Sequence, residues 1–299
     1  MQSVSFVGLG GMGGPIAGRL AEFCEITVFD LDPKRSAAAG GKNKVAVAAS
    51  LGDALTPGGI LFTMLPDDAA VLAVAGGEDG AAARLGRGGL HVNMSTISPK
   101  LSRQLAALYQ SAGGAYVAAP VWGRPNMAGT GALVCSLAGP ASAKERARPY
   151  LSVLAARIED FGEEPHLANV VKIVGNFMVA TAIESLAEAL AVVEKHGLDR
   201  AAVANLYVST IFDCRVYQTY GALVAAQASG PAGFAAELGL KDLRLAREVA
   251  SEVRAPIPFQ NIIENRLLSA VAKGRGKEDW SALSWGAAED AGLTRPVRR

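Results

Sequence analysis

The sequence predicts an α/β fold in its first half, built on a doubly wound, mostly parallel sheet, then an all-α second half, with a long helix joining the two. Three observations carry this expectation. Short apolar runs alternate with helix-spaced segments from the N-terminus to about residue 161, as in a parallel sheet covered by helices. After Gly197 the strand signals stop. Between the halves lies ANVVKIVGNFMVATAIESLAEALAVVEKH, Ala168 to His196, which has no proline and ends at His196-Gly197, a helix stop. As one helix of roughly 28 residues it would be ~42 Å long. The expected domains are 1–164, the sheet domain, and 165–299, the helical domain, with helix 168–196 counted in the second.

A chain of 299 residues accommodates two such domains. Half of it is hydrophobic, and 29 basic residues face 28 acidic ones, a balance that points to neither a nucleic-acid nor a membrane surface. Cys24, Cys135 and Cys214 are scattered and odd in number, which fits a reducing compartment rather than a disulfide framework. No basic segment precedes the first apolar run as in a signal peptide, and Lys172, Glu184 and Glu188 interrupt the most apolar stretch, so the expected setting is the cytoplasm.

Each element has a local reason. Val4 to Val7 is a buried-strand run, and Gly8, Gly10 and Gly13 follow it as G-x-G-x-x-G, with Ile16, Ala17 and Leu20 at helical spacing behind. In such a motif the first glycine makes the tight turn, the second admits backbone close to a pyrophosphate, and the third lets helix pack on strand. The helix N-terminus then offers amides and a positive dipole end to the phosphates. A second strand, Ile26 to Phe29, ends in Asp30, where an acid can bind the adenosine ribose. Together these mark a Rossmann-type dinucleotide site. Asp30 favours NAD, since a carboxylate repels a 2′-phosphate; NADP stays possible if Lys34 and Arg35 soften that preference rather than lie in a solvated turn.

Gly59 to Leu65 reads as the next strand, running into Pro66, and Asp67 to Val74 as a capped helix start. Gly89 to Asn93 is a strand ending in Met94-Ser95-Thr96, and Pro99 to Ser111 is helical by its leucine and alanine spacing. Further strands are expected near Ala115–Ala119, Ala132–Ala138 and Arg157–Phe161. On the long helix, Lys172 and Asn176 share a face one turn apart, so the lysine either snorkels to water or is held in a site. Helices follow at Asp199–Thr210, Cys214–Ala228, Gly239–Val253, Pro258–Lys273 and Asp279–Ala291, with loops near Ser229-Gly230-Pro231 and Gly274-Arg275-Gly276 and a frayed Arg295–Arg299 tail. The default ligand site is the cleft between the domains. His91, His166 and His196 lack metal-site spacing, and no Walker motif or nucleophile elbow is present.

These residues resemble, in order and over essentially the whole chain, the β-hydroxyacid dehydrogenases, the group of 3-hydroxyisobutyrate dehydrogenase and, more distantly, 6-phosphogluconate dehydrogenase. Gly8 to Leu20 is similar to the family's G-L-G-x-M-G-x-x-x-A-x-x-L. Phe62-Thr63-Met64-Leu65-Pro66, Ser95-Thr96, Lys172-x-x-x-Asn176 with Ala187-Glu188-Ala189, and Lys241-Asp242-Leu243-x-Leu245-Ala246 match its later motifs. The resemblance implies that Gly8, Leu9, Gly10, Gly11, Met12, Gly13, Asp30, Leu65, Pro66, Thr96 and Lys241 bind the cofactor. Lys172 would be the general acid and base, Asn176 would orient substrate and lysine, and Ser95, Trp122, Gly123 and Arg124 would stand with them around the substrate. It also implies a small-molecule substrate and a homodimer or homotetramer.

One segment departs from the family pattern. Its substrate loop usually reads D-A-P-V-S-G-G, whereas here Ala118-Ala119-Pro120-Val121-Trp122-Gly123-Arg124-Pro125 puts tryptophan in place of the serine. A tryptophan cannot act as that hydroxyl. Arg124 either supplies a bidentate anion contact or points to solvent, and Trp122 either lines the pocket or packs between domains. The implied chemistry is hydride transfer between a small β-hydroxyacid and its semialdehyde or keto acid. An amine serves both directions when burial and a nearby positive charge weaken its hold on the proton. Two alternatives stand beside this reading: an imine reductase-like enzyme, against which Lys172 argues, and a non-catalytic dinucleotide-binding protein.

Overall fold

The computed structural model describes residues 3–40, 44–227 and 232–293. The expected Ser229-Gly230-Pro231 loop and Arg295–Arg299 tail lie outside the described residues. The chain divides into two compact units, Met1–Lys172 and Ile173–Arg299.

In chain order the first unit contains β1 (Val4–Val7), α1 (Gly13–Phe23), β2 (Ile26–Phe29), α2 (Pro33–Ala39), β3 (Val45–Val47), α3 (Leu51–Ala54), β4 (Ile60–Thr63), α4 (Asp68–Ala75), α5 (Ala81–Leu85) and β5 (Leu90–Asn93). It continues with α6 (Pro99–Ser111), β6 (Ala115–Ala118), β7 (Val121–Trp122), α7 (Pro125–Ala128), β8 (Leu133–Leu137), α8 (Ala141–Leu154) and β9 (Ala155–Asp160). Six strands form one parallel sheet in the order β3-β2-β1-β4-β5-β6. Helices cover both faces because successive strand residues point to opposite sides. Phe6, Ile60 and Phe62 pack with Ile16 and Leu20 of α1 and Leu151 of α8. Val7, Leu61 and Tyr116 pack on the other face with Val71, Leu85 and Leu105 of α4, α5 and α6.

Two expected strands fall outside this sheet. Residues expected near 132–138 and 157–161 form β8 and β9, which join β7 in a separate three-stranded sheet of order β7-β8-β9. β7 runs antiparallel to β8, and β8 parallel to β9. Sequence spacing identifies a strand but not its neighbour, and a strand as short as Val121–Trp122 gives no periodic signal.

Helix α9 (His166–Lys195) starts in the first unit and passes into the second after Lys172. Gly197, at φ 79°, turns the chain at its end. By length and composition α9 could cross a membrane; one side of it packs in protein, with Ala168 in a core of the first unit and Ala180, Ile183, Ala187 and Leu190 in that of the second. The second unit adds α10 (Arg200–Val208), α11 (Arg215–Ala226), α12 (Ala236–Glu252), α13 (Pro258–Ala270) and α14 (Leu283–Asp290). Asp199 caps α10 by accepting from the Ala202 N–H, whereas Asp279 caps a short 3-10 turn, Trp280–Ala282, that precedes α14. Tyr220 is buried and accepts a 2.8 Å hydrogen bond from Trp280 Nε1, and Tyr217 and Phe234 pack against the same core.

Two buried polar groups give this fold measurable liabilities. His91 on β5 is fully buried between Tyr109 and Tyr116, and burial holds its imidazole down at about 3. Its unfolded value is near 6.5, so the unfolded chain takes up a proton that the folded one refuses, and stability falls as pH drops below 6.5. Between pH 6.5 and 5 this residue removes about 2 kcal/mol, seen as a falling urea midpoint whose slope flattens in His91→Gln. In the second unit Glu184 on α9 is 4% exposed; burial pushes its carboxyl up, and Arg266, with Nε 2.7 Å from Oε1, pulls it back. Removing the guanidinium in Arg266→Ala strands that carboxyl and costs about 3 kcal/mol by denaturant melting, a loss reduced in the Arg266→Ala/Glu184→Gln pair.

Candidate functional site

The loops after β1, β2, β4, β5 and β6 all leave the carboxyl ends of parallel strands, so they gather at one edge of the sheet. Strand order reverses between β1 and β4, the point at which such sheets bind ligands. At that point stands the glycine loop. Gly8 has φ 95°, and a Cβ there would lie 2.5 Å from the Met64 carbonyl oxygen. A Cβ on Gly13 would stand 1.8 Å from the Gly8 oxygen, so α1 packs directly on the turn that precedes it. Gly10 differs: its nearest neighbour would be Arg35 Nη1 at 3.7 Å, which leaves room for a ligand against the backbone. Gly11 is exposed, with nothing within 4 Å of a Cβ, and Met12 precedes α1 without any side-chain cap, so the helix N-terminus is presented to a ligand.

Asp30 closes the loop from β2. Its Oδ2 accepts from the Leu9 N–H at 2.6 Å and its Oδ1 from the Asp32 N–H at 2.8 Å. Arg35 lies 3.9 Å from Asp30 Oδ2 and 3.5 Å from Asp32 Oδ2, half exposed. An open Gly10, an uncapped helix N-terminus and a fixed carboxylate at the end of β2 fit the pyrophosphate and adenosine ribose of a nicotinamide dinucleotide.

Beneath the loops after β4 and β5 lies a polar network. Leu65 N–H donates to Ser95 Oγ at 2.8 Å, and Ser95 N–H donates to Asn93 Oδ1 at 2.9 Å. That oxygen also accepts from Thr63 Oγ1 at 3.1 Å, while Asn93 Nδ2 donates to Tyr116 Oη at 3.1 Å. With its hydrogen given to Asn93, Thr63 must accept from His91 Nε2, 2.8 Å away, which puts the imidazole hydrogen on Nε2. Ser95 is fully buried and thus ties two loops together, while Thr96 and Leu65 are half-buried and Pro66 is exposed above it.

After β6 comes the altered loop. Trp122 donates its Nε1–H to Ser136 Oγ on β8 at 2.8 Å. Lys172, 9% exposed, sets its Nζ 4.2 Å from the centroid of the Trp122 ring. Gly123 has φ 136° and is exposed, and Arg124 is half-buried at the start of α7. One turn along α9 from Lys172, Asn176 donates from Nδ2 to Asp242 Oδ2 at 2.5 Å. A carboxylate only accepts, so this bond fixes the amide with its oxygen turned from Asp242. Asp242 also pairs with Lys241, Nζ to Oδ1 at 3.1 Å. Within the first unit the structure therefore joins Leu9 to Asp30, Leu65 to Ser95 and Lys172 to Trp122; within the second it joins Asn176 and Lys241 through Asp242.

Asp242, Asn93, Ser136 and Thr63 were not marked as functional by sequence. A signal existed for one: an acid inside the apolar spacing of Leu240, Leu243 and Leu245 is a buried acid, and buried acids need partners. Asn93 and Ser136 carry no signal of their own.

The fold and this edge of the sheet define a dinucleotide-binding protein with a helical second unit. Residues 3–175 match the family signature described as the NAD binding domain of 6-phosphogluconate dehydrogenase, and residues 167–284 that described as NAD-binding of NADP-dependent 3-hydroxyisobutyrate dehydrogenase. The oxidoreductase YfjR of Bacillus subtilis is 39% identical over 285 residues, 94% of this chain and 98% of its own. The 3-hydroxyisobutyrate dehydrogenase of Pseudomonas aeruginosa is 32% identical over 273 residues, covering 89% of this chain and 91% of that one. The solved 3-hydroxyisobutyrate dehydrogenase of Mycobacterium tuberculosis with L-serine superposes at a TM-score of 0.82 and 26% identity, over 96% of this chain and 99% of that one. The chain belongs to the β-hydroxyacid dehydrogenase family; it is an oxidoreductase that binds NAD or NADP.

The two glycines separate folding from binding. Gly10→Ala keeps the melting temperature and weakens NADH binding about tenfold or more by fluorescence titration, because only the ligand needs that space. Gly13→Ala drives Cβ into the Gly8 carbonyl and lowers stability itself, by about 3 kcal/mol.

Proposed function

We propose that this enzyme interconverts a small β-hydroxyacid and its semialdehyde or keto acid, with Lys172 as general acid and base. The observation that carries this reading is the burial of Lys172 with its ammonium against the Trp122 ring, on the unit that holds the glycine loop. A buried lysine held by an aromatic face is confined, and confinement is what a proton donor needs. Names and identities of the relatives, 3-hydroxyisobutyrate dehydrogenase at 32% among them, support the substrate class.

When bound, the nicotinamide cofactor exchanges hydride with the carbon that carries the oxygen. In the reducing direction Lys172 Nζ gives a proton to the forming alkoxide oxygen and regains one from solvent; in the oxidising direction the neutral amine takes the hydroxyl proton. Asn176, one turn on, orients the same oxygen through its amide. Gly8, Leu9, Gly10, Gly11, Met12 and Gly13 hold the pyrophosphate, and Leu65, Pro66 and Thr96 border the dinucleotide. Asp30, with both oxygens already fixed by backbone N–H groups, favours NAD over NADP.

We assign the protein to the cytoplasm, as a homodimer or homotetramer. Exposed Met178, Val192, Leu206 and Ile211 support association through the second unit. Light scattering on a sizing column tests that assignment, and a monomer rejects it.

NADH consumption against malonate semialdehyde, acetoacetate and a cyclic imine such as 2-methyl-1-pyrroline tests the reaction class. Turnover is expected on the aldehyde or keto acid; turnover on the imine alone makes the enzyme an imine reductase. Lys172→Ala is expected to keep NADH affinity within about threefold and to lower kcat by about 10³-fold, the scale of general acid catalysis. Unchanged kcat removes Lys172 from the mechanism.

A further inference from the structure

The Trp122 side chain has a single hydrogen-bond donor, and the structure spends it. Residues Val121–Trp122 pair antiparallel with β8, with Trp122 opposite Val134, so Ser136 is its diagonal neighbour on the same face of the pair. Ser136 is 2% exposed, and its Oγ accepts the indole N–H at 2.8 Å. The chain then turns at Gly123, where φ is 136° and a Cβ would stand 2.6 Å from Leu133 Cδ2. Backbone pairing, hydrogen bond and tight turn together leave the ring little freedom.

A ring held in this way can offer only its faces and edge. Lys172 Nζ stands 4.2 Å from the ring centroid, inside the ~6 Å range of a cation–π contact. Lys172 is 9% exposed, and this attraction is stronger where water is excluded. Without such a contact a lysine's four-carbon stem explores many rotamers, and each rotamer carries Nζ to a different place. Any oxygen that takes a proton from Nζ must lie about 3 Å from it, so the ring that sets Nζ also sets where that oxygen can be protonated.

We propose that Trp122, pinned by Ser136, is a positioning residue for the reaction: its face holds the Lys172 amine as an ammonium in the one rotamer that delivers the proton. The proposal rests on Lys172 being the proton donor, and it adds that the tryptophan at this position is what aims it. A tryptophan here replaces no hydroxyl; it acts on the substrate through the lysine.

The first test needs no substrate. In protein labelled with ¹³C at lysine Cε, the resonance lost in Lys172→Arg is expected upfield of the other lysines, displaced by the indole ring current. It returns to the ordinary lysine position in Trp122→Leu and stays displaced in Trp122→Phe, which keeps an aromatic face. In Ser136→Ala it moves part of the way back as the ring loosens. A Lys172 resonance at the ordinary position in the unaltered protein, or one unmoved by Trp122→Leu, overturns the proposal. The second test is kinetic, with NADH affinity and melting temperature measured on every variant to confirm folding. Trp122→Leu lowers kcat about tenfold with KM changed less than about threefold, and Trp122→Phe restores most of it. Full kcat in Trp122→Leu beside an inactive Lys172→Ala overturns the positioning role and leaves the lysine's role standing. An active Lys172→Ala overturns the lysine's role first, whatever Trp122 does.

Discussion

The approach of Gly13 to the Gly8 carbonyl is the constraint on which the first unit depends. A Cβ would stand 1.8 Å from that oxygen, so α1 lies on the turn after β1 as closely as two backbones can. That closeness points the helix N-terminus at the reversal of strand order, between β1 and β4. It also lays Ile16, Ala17 and Leu20 on the sheet among Phe6, Val28 and Phe62, so one contact serves both the ligand cradle and the core. A residue larger than glycine at position 13 disturbs both.

Loops at a ligand edge need support, and here the support comes from inside the sheet. Thr63, Asn93 and Tyr116, on three neighbouring strands, pass hydrogen bonds from buried His91 toward Ser95 and Leu65. All but the outermost link, Leu65 to Ser95, are buried, which makes each of those worth more than a surface bond and its loss costly. Asn93 binds three elements with one amide, so the loops after β4 and β5 are set as a pair.

The same arrangement recurs around the residues given chemical roles. Asn176 donates from its amide to Asp242, and Lys172 Nζ stands 4.2 Å from the centroid of the Trp122 ring, whose Nε1–H is taken by Ser136. In each case the partner lies far away in sequence. Asp30 is the local exception, since both of its oxygens are held by nearby or loop backbone N–H groups.

Much of this was legible in the sequence. Glycines at 8, 10 and 13 behind Val4–Val7, Asp30 at the end of the next strand, and the apolar spacing of Ile16, Ala17 and Leu20 are local patterns, and local patterns state their own geometry. So does the proline-free run that became α9, ended by Gly197. The separate sheet of β7, β8 and β9, the pairing of buried Asp242 with Asn176 and Lys241, and the indole under Lys172 were decided by the tertiary structure alone. The physical reason is range: helix and strand periods repeat within a few residues, whereas a hydrogen bond from 122 to 136, or a cation set over a ring fifty positions away, exists only once the chain has brought the two ends together.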